Sequence, residues 1–341
     1  MAENSTPHQI LRDLLHGSTA FRPLFAPIVF VLGARIENLS LRAFLASPTK
    51  ISNSLRQTRP HLRSDGVSCY FDPLLEAEAL GGMLQWRSDN DPPLLRWLPA
   101  PDPGQLPVGL RLPEEIAKSG RIPVALEVIR RLKALLREES LLMAGVSGPF
   151  ALASRLSGLH GRDPQTSAVL PEFALEVATS AIAHASKAFA EAGANLIFLR
   201  EERLPLLPGG SSEDWTSMLT PIFNIIRFYE ALPVLQIADQ RVLADDPDAV
   251  LRLAKDSVLC LPLEAIRTLP AERLPAMRSA KVGLALPVSA FQVDQPSDPT
   301  THTQWRQLIC DVQPAIVTTV DDVPAATDLK RLAAVSEIVR R

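Results

Sequence analysis

Several short apolar runs in the sequence end in residues that could form a site, many of them acidic or basic. In chain order, the residues at these ends are Arg35, Asp72, Gly148 to Phe150, Arg200, Glu201, Asp239, Pro262, Ser289, Asp321 and Asp322. Crowded carboxylates raise one another's pKa, so one of them can stay protonated and act as a general acid. The same acids could instead hold a hard cation such as Mg²⁺, or several of them could be helix N-caps that face solvent.

Asp72 has the clearest position among these acids. It follows residues 67–71, a run of β-branched, aromatic and small residues that is typical of a buried strand. Pro73 fixes the backbone after it, and residues 74–80 are rich in Glu and Ala, which favours a helix or turn. The sequence therefore places Asp72 at the carboxyl end of a strand, either as a site residue or as the cap of the next turn.

Apolar runs alternate with helix-like segments along the whole chain. The runs are residues 27–32, 67–71, 141–147, 195–199, 233–238, 257–261, 281–286 and 315–320. The helix-like segments are residues 7–15, 41–62, 124–139, 171–193, 215–231, 247–256, 271–278, 301–312 and 329–340. This alternation predicts right-handed crossovers and a parallel sheet, and its length fits an α/β fold of the (β/α)₈ TIM-barrel type. An open doubly wound sheet is the alternative, although no Gly-x-Gly-x-x-Gly turn follows the first run.

One insertion interrupts the alternation after the second run. Residues 82–99 fit a hairpin, and residues 99–113 contain five prolines, which is typical of a surface loop. Strand and helix patterns resume after this loop, so it does not read as a linker between domains. We therefore expect a single domain over residues 1–341, with residues 82–113 inserted in it.

The composition indicates a globular chain with a large core. The 341 residues are 46% hydrophobic and 21% charged, and the net charge of −3 gives no general attraction to nucleic acid. Three cysteines at distant positions favour a reducing, cytoplasmic setting over a disulfide framework. No apolar run approaches the length of a membrane span, and the N-terminus lacks the pattern of a signal peptide.

The stretch around Asp72 resembles a known family. Residues 66–82 are similar to the second strand of the uroporphyrinogen decarboxylase superfamily, whose Asp coincides with Asp72 and whose later Ala-Leu-Gly coincides with residues 79–81. Residues 145–153 resemble the family's Gly-Pro-Phe segment, residues 189–201 its fourth strand, and residues 315–321 its last strand. The resemblance implies a cofactor-free, cytoplasmic barrel enzyme that often forms a homodimer with facing clefts.

The resemblance also implies decarboxylation or binding of a tetrapyrrole carboxylate, a small-molecule substrate. Asp72 would bind the pyrrole N–H groups, and Arg35 would hold substrate carboxylates and assist catalysis. Asp321 stands where the family has a C-terminal His, and we assign it to catalysis with these two residues. Arg155 replaces a family Tyr, and one of two N-terminal family arginines has no counterpart. The predicted substrate-binding residues are Phe150, Arg155, Arg200, Glu201 and Asp239.

The superfamily also contains zinc-dependent, corrinoid-linked methyltransferases, and their metal ligands are missing here. Gln236 and Ala238 stand at the positions of the zinc-binding His-x-Cys, and Cys260 has no His or Cys at ligand spacing. No thiolate zinc site is therefore expected, and no metal is assigned. Two alternatives stay open, namely zinc-independent methyl or one-carbon transfer with a corrinoid or folate partner, and non-catalytic binding of a tetrapyrrole or of another protein.

Overall fold

Parallel strands form the centre of the protein, whose computed structural model describes residues 5–18, 21–161, 170–205, 212–244, 246–291 and 299–340. The strands of this sheet are β1 (Leu24–Phe25), β2 (Gly66–Tyr70), β5 (Leu141–Ser147), β6 (Leu196–Glu201), β7 (Leu232–Ile237), β8 (Val258–Pro262), β9 (Val282–Leu286) and β10 (Ile316–Thr319). Their order is β1-β10-β9-β8-β7-β6-β5-β2, and each neighbouring pair is parallel. A separate antiparallel hairpin joins β3 (Met83–Gln85) to β4 (Leu94–Arg96), as predicted for residues 82–99.

Helices connect the strands and cover the sheet. They are α1 (Pro7–Leu15), α2 (Leu32–Ile36), α3 (Leu41–Leu45), α4 (Pro48–Leu62), α5 (Leu75–Ala79), α6 (Ile122–Leu136), α7 (Pro149–Leu156), α8 (Glu172–Ala192), α9 (Ser212–Phe228), α10 (Pro247–Arg252), α11 (Leu263–Arg267), α12 (Leu274–Ser279), α13 (Pro299–Val312) and α14 (Leu329–Arg340). Short 3₁₀ helices span Pro113–Lys118, Ala271–Arg273 and Val288–Phe291. In the ranges that the structure describes, no helix is long and apolar enough to cross a membrane.

Hydrogen bonds across the seam between β1 and β2 nearly close the sheet into a barrel. The backbone N–H of Asp65 donates to the Phe25 carbonyl at 2.8 Å, and the Phe25 N–H donates to Asp65 Oδ2 at 2.8 Å. Further along, the Val29 N–H donates to Ser68 Oγ at 3.0 Å, and that hydroxyl donates to the Pro27 carbonyl at 3.2 Å. The predicted (β/α)₈ barrel is thus confirmed, and the open doubly wound alternative is wrong.

Among the predicted elements that differ from the structure, proline explains two. The first strand lies at Leu24–Phe25 rather than at residues 27–32, because Pro27 has no N–H to donate to a strand ladder. The chain then turns into α2 within the predicted strand. The predicted helix over residues 41–62 is two helices, since Pro48 starts a new one with Ser47 as its N-cap.

Replacing Asp65 by Ala tests the seam. Asp65 is buried and binds Arg22 at 2.6 Å as well as the Phe25 N–H. Removing the carboxylate leaves both donors without this acceptor, so the free energy of unfolding should fall by about 3 kcal/mol. Urea denaturation measures this change. Asp89→Ala is the matched control, because it breaks an exposed Asp–Arg pair with Arg42 and should cost less than about 1 kcal/mol. Equal losses in the two variants would show that Asp65 does not close the barrel.

Candidate active site

A cavity of about 520 Å³ opens at the carboxyl ends of the barrel strands. Leu41 and Leu45 of α3 form part of its wall, together with Pro92 and Pro93 from the hairpin loop. Its polar side chains are Asp72, Ser147, Arg155, His160, Arg200, Glu201, Glu202, Gln236, Asp321 and Asp322. Active sites of (β/α)₈ barrels occupy this end, and the volume lies in the usual range for small-molecule sites.

Asp72 lies in the cavity wall just beyond β2 and is held by an arginine. Its Oδ1 accepts the Leu74 N–H at 2.9 Å, which forms a tight turn, and its Oδ2 lies 2.7 Å from Arg121 Nη1. The two side chains are only 7% and 12% exposed. Arg121 also donates to Glu78 at 2.7 Å, so it is fixed from two sides. Asp72 is therefore a charged acceptor with a matched counterion, and it caps the turn as well as lining the cavity.

Glu201, the last residue of β6, is a buried acid at the start of α7. Its oxygens accept the backbone N–H groups of Phe150 at 3.0 Å and Ala151 at 2.8 Å. Gly148 makes this approach possible, because a Cβ there would lie 2.0 Å from the Glu201 carboxyl carbon. Burial raises the pKa of Glu201 to about 8, although the two N–H donors oppose that shift. At neutral pH this residue is largely a neutral carboxylic acid.

Glu202 follows Glu201 in the sequence, but it binds an arginine instead of backbone N–H groups. Its carboxylate accepts from Arg155 Nη2 at 2.6 Å, and the acid is 50% exposed while the arginine is 6% exposed. His160 Nδ1 lies 3.4 Å from the other carboxylate oxygen. Burial lowers the pKa of His160, and the charge of Arg155 adds to that effect. The histidine is therefore mostly neutral at neutral pH.

Asp321 and Asp322, the two acids after β10, differ in their hydrogen-bond partners as Glu202 and Glu201 do. Asp322 is the inner acid, whose oxygens accept the N–H groups of Phe30 at 2.8 Å and Val31 at 2.9 Å. Burial raises its pKa to about 7 against these donors. Asp321 is the outer acid and accepts from Arg200 Nη2 at 2.5 Å. In each acidic pair, one carboxyl binds backbone N–H groups and the other binds an arginine.

Charge in the cavity is therefore close to balanced. Three acids each have an arginine, in the pairs Asp72–Arg121, Glu202–Arg155 and Asp321–Arg200. The two remaining acids have raised pKa values, so neither is fully ionised at neutral pH. Within the described ranges, no group of three or more His, Cys, Asp or Glu side chains could hold a metal ion. In the structure these acids accept hydrogen bonds from arginines and from backbone N–H groups.

Gln236 of β7 is part of the cavity lining and does not fit a zinc site. Its Nε2 donates to the carbonyls of Thr319 at 2.6 Å and Val320 at 3.1 Å, which fixes the amide and ties β7 to β10. Its Oε1 has no partner among the described residues. Ala238 offers no ligand atom, and burial raises the pKa of the Cys260 thiol. The donor set for a thiolate zinc centre is absent from these positions.

A further buried acid lies behind the cavity wall. Glu76 of α5 is fully buried, and its Oε2 accepts the Ser147 N–H at 3.2 Å. Its other oxygen has no hydrogen-bond partner in the part of the chain that the structure describes. Burial raises the pKa of Glu76 to about 7. The residue is thus neutral over much of the range in which an ordinary glutamate is charged.

The predicted site residues fall into two groups. The cavity is lined by Asp72, Arg155, Arg200, Glu201 and Asp321. The cavity lining does not include Arg35, Phe150 or Asp239. Arg35 is exposed on α2 and donates to the Thr327 carbonyl at 2.7 Å. The Phe150 ring is buried in the core, and only its backbone N–H takes part in the site. Asp239 accepts the Arg241 N–H at 2.9 Å in a local turn.

Family membership follows from comparison with known sequences. The family model of uroporphyrinogen decarboxylase (URO-D) matches residues 27–221, which is more than half of the chain. The chain belongs to the URO-D family. A search of curated proteins gave no significant match. The resemblance seen around Asp72 is therefore confirmed at the level of the family.

Solved structures support the fold of this URO-D family member. A methyltransferase from Methanosarcina mazei superposes with a TM-score of 0.77 at 17% identity, over 98% of each chain. A B12-independent methionine synthase from Shewanella sp. W3-18-1 gives a TM-score of 0.51 at 13% identity, over 86% of this chain and 88% of that one. At these identities the likeness concerns the barrel and not its chemistry.

Three site residues escaped the sequence reasoning. Arg121 carries no local signal, because it meets Asp72 only after α6 packs beside β2. Glu202 stands next to Glu201, and the doubled acid at a strand end could have indicated one inner and one outer carboxylate. Glu76 looked like an ordinary acid in a Glu- and Ala-rich segment, and only the fold shows that it is buried.

Glu76→Gln should change how stability depends on pH. A raised folded pKa means that the native state keeps its proton while the unfolded chain loses it, so stability falls as pH rises from about 4.5 to about 7. For one group the slope is at most roughly 1 kcal/mol per pH unit. Glutamine cannot ionise, so this loss of stability is absent from the variant. The free energy of unfolding of the variant should therefore rise relative to that of the wild type between about pH 4.5 and 7, and the difference should stay constant above pH 7.

Urea denaturation at pH 5, 6, 7 and 8 measures this difference. Glu115→Gln, which replaces an exposed acid of the 3₁₀ helix Pro113–Lys118, is the control and should run parallel to the wild type. If the free energy of unfolding of Glu76→Gln also varies with pH as that of the wild type does, Glu76 is charged in the folded protein.

Proposed function

We propose that this URO-D family member decarboxylates a carboxylate-bearing small molecule in the barrel cavity, with tetrapyrrole carboxylates as the first candidates. The observation that carries the proposal is Glu201, an acid in the cavity lining whose pKa is raised to about 8. Loss of carbon dioxide leaves an electron pair on carbon, so the reaction consumes a proton. A carboxylic acid that is neutral at pH 7 is suited to supply protons in such a reaction.

Arg155 and Arg200 are suited to bind the carboxylates of the substrate. Both line the cavity, and Nε of each has no hydrogen-bond partner among the described residues. Guanidinium groups bind carboxylates through two parallel N–H donors. Asp72, fixed by Arg121, presents a charged acceptor for an N–H group of the substrate. These residues would orient an anionic, nitrogen-containing ring beside Glu201.

The proton of Glu201 can assist the reaction without being consumed. Transfer of this proton to a carbon of an electron-rich ring gives a cation whose charge the ring nitrogen shares. The bond to the carboxylate then breaks, carbon dioxide leaves, and the released electron pair neutralises the ring and forms an exocyclic methylene. A proton from solvent converts the methylene to a methyl group, and the ring carbon returns its proton to Glu201. The net reaction consumes one proton for each carbon dioxide.

Turnover of uroporphyrinogen and coproporphyrinogen tests the proposal. The oxidised products are separated chromatographically by their number of carboxylates. Glu201→Gln should lower kcat by about 100-fold or more, whereas Arg200→Met should mainly raise KM. For the wild type, kcat/KM should fall as pH rises through about 8, because Glu201 then loses its proton in the free enzyme.

Asp248→Asn, in an exposed ion pair with Arg273 away from the cavity, is the control and should keep wild-type turnover. Tight binding of both tetrapyrroles without any product would support the non-catalytic binding function instead. Absence of both binding and turnover would rule out a tetrapyrrole substrate.

Methyl or one-carbon transfer with a corrinoid or folate partner is the second candidate. Charge balance in the cavity favours it, because three acids have matched arginines and no strong positive field remains to attract a polycarboxylate. The missing zinc ligands at Gln236 and Ala238 count against it. Methylcobalamin mixed with the protein and a thiol should lose its absorbance if the protein transfers the methyl group. An unchanged spectrum with a panel of thiols would remove corrinoid-dependent methyl transfer to thiols, and the same assay with a methylated folate in place of methylcobalamin tests the folate partner.

A further inference from the structure

The ion pair between Arg200 and Asp321 spans the mouth of the barrel. Arg200 belongs to β6, and Asp321 follows β10. Three strands separate β6 from β10 on either side, namely β7, β8 and β9 in one direction and β5, β2 and β1 in the other. The two strands are therefore opposite each other. The contact at 2.5 Å joins opposite walls directly at the cavity lining.

The two partners of this pair differ greatly in exposure. Arg200 is 19% exposed, and Asp321 is 67% exposed. A largely buried guanidinium needs a counterion because its desolvation is costly, whereas an exposed carboxylate loses little when it moves into water. The acid is therefore the exchangeable member of the pair. Arg155, at 6%, and Glu202, at 50%, show the same asymmetry.

The contact with Asp321 involves only one of the nitrogen atoms of Arg200. Only Nη2 of Arg200 donates to Asp321, while Nε is buried and has no partner among the described residues. The same Asp321 oxygen accepts the Asp322 N–H at 2.8 Å, so it is shared between two donors. A free carboxylate can engage Nε and Nη2 together in the bidentate geometry that arginine favours. Such a ligand would bind Arg200 more completely than Asp321 does.

We propose that Asp321 is an internal carboxylate that occupies the anion-binding position of Arg200 until a ligand carboxylate displaces it. The inference rests on the proposed function only in taking the ligand to be a carboxylate. Arg200 is then the anion subsite, and Asp321 competes with the ligand for it. Displacement also removes the bridge across the mouth, so binding and opening of the cavity are one event.

Titration with succinate tests the displacement. The probe is added to ¹⁵N-labelled protein while the arginine Nε–H signals are recorded, and Arg200→Met identifies the signal of Arg200. In Asp321→Asn the competing carboxylate is gone, so the dissociation constant for succinate should fall about fivefold relative to the wild type. The Arg200 signal should be among those that shift.

A double variant separates displacement from simple loss of negative charge. In the Arg200→Met background, Asp321→Asn should give no tightening, whereas a general electrostatic effect would persist there. Asp248→Asn is the matched control, since Asp248 is an exposed acid whose pair with Arg273 has the same distance of 2.5 Å; it should leave succinate binding unchanged.

Weaker or absent succinate binding in Asp321→Asn would overturn the proposal, as would equal tightening with and without Arg200. The test measures binding of a simple dicarboxylate and no turnover. The result of the succinate titration therefore does not depend on whether the protein decarboxylates a tetrapyrrole. Failure of the displacement proposal and failure of the proposed function can thus be distinguished.

Discussion

Desolvation of carboxylates is the constraint on which the carboxyl end of this barrel depends. A buried, ionised carboxylate is tolerated only when a counterion and hydrogen bonds replace the water that it loses. The cavity lining contains five acids, and the structure meets this demand in two ways. Asp72 has an arginine beside it, whereas Glu201 and Asp322 bind backbone N–H groups and have raised pKa values. Glu202 and Asp321 are more exposed, and in their ion pairs the arginine is the more buried partner that needs a counterion.

This balance links the fold to the chemistry. Arg121 precedes α6, Arg155 belongs to α7, and Arg200 belongs to β6, so the three cations meet their acids only when the barrel has formed. Each inner acid also depends on a distant backbone segment, as Glu201 does on the start of α7. Because that segment can approach only where Gly148 lacks a side chain, a single glycine permits the two N–H hydrogen bonds that hold the Glu201 carboxyl, the acid that we assign to proton transfer.

Sequence patterns predicted the parts of the fold that depend on local chemistry. Apolar runs between helical segments indicated the barrel, and the segment at residues 82–99 fitted a hairpin after the second strand. The first strand was misplaced because the hydrophobic pattern around Pro27 resembles a strand, while the ladder needs an N–H that proline lacks. Arg35 belongs to α2 rather than to a strand end, and its side chain is not part of the cavity lining but donates to the Thr327 carbonyl.

The site was predictable only in its composition. The positions of Asp72, Arg200, Glu201 and Asp321 near strand ends predicted that they line one cavity. The carboxyl ends of the parallel strands of a barrel converge regardless of the structure of the loops. The partner of each acid was not predictable, since it is set by contacts such as Asp72–Arg121 between segments far apart in the chain. The pKa values depend on these same contacts and on burial, so the protonated state of Glu201 could not be read from the sequence.

Two of the three departures that the family resemblance implies share a physical feature. By that resemblance Arg155 replaces a Tyr and Asp321 replaces a His, so a neutral hydrogen-bonding group becomes a charged one at each position. Each new charge has an opposite charge beside it, Glu202 for Arg155 and Arg200 for Asp321. The replaced positions thus form ion pairs at the rim of the cavity rather than proton donors. In the reaction that we propose, proton transfer to a bound molecule depends on Glu201, whose burial keeps it protonated where an ordinary glutamate is charged.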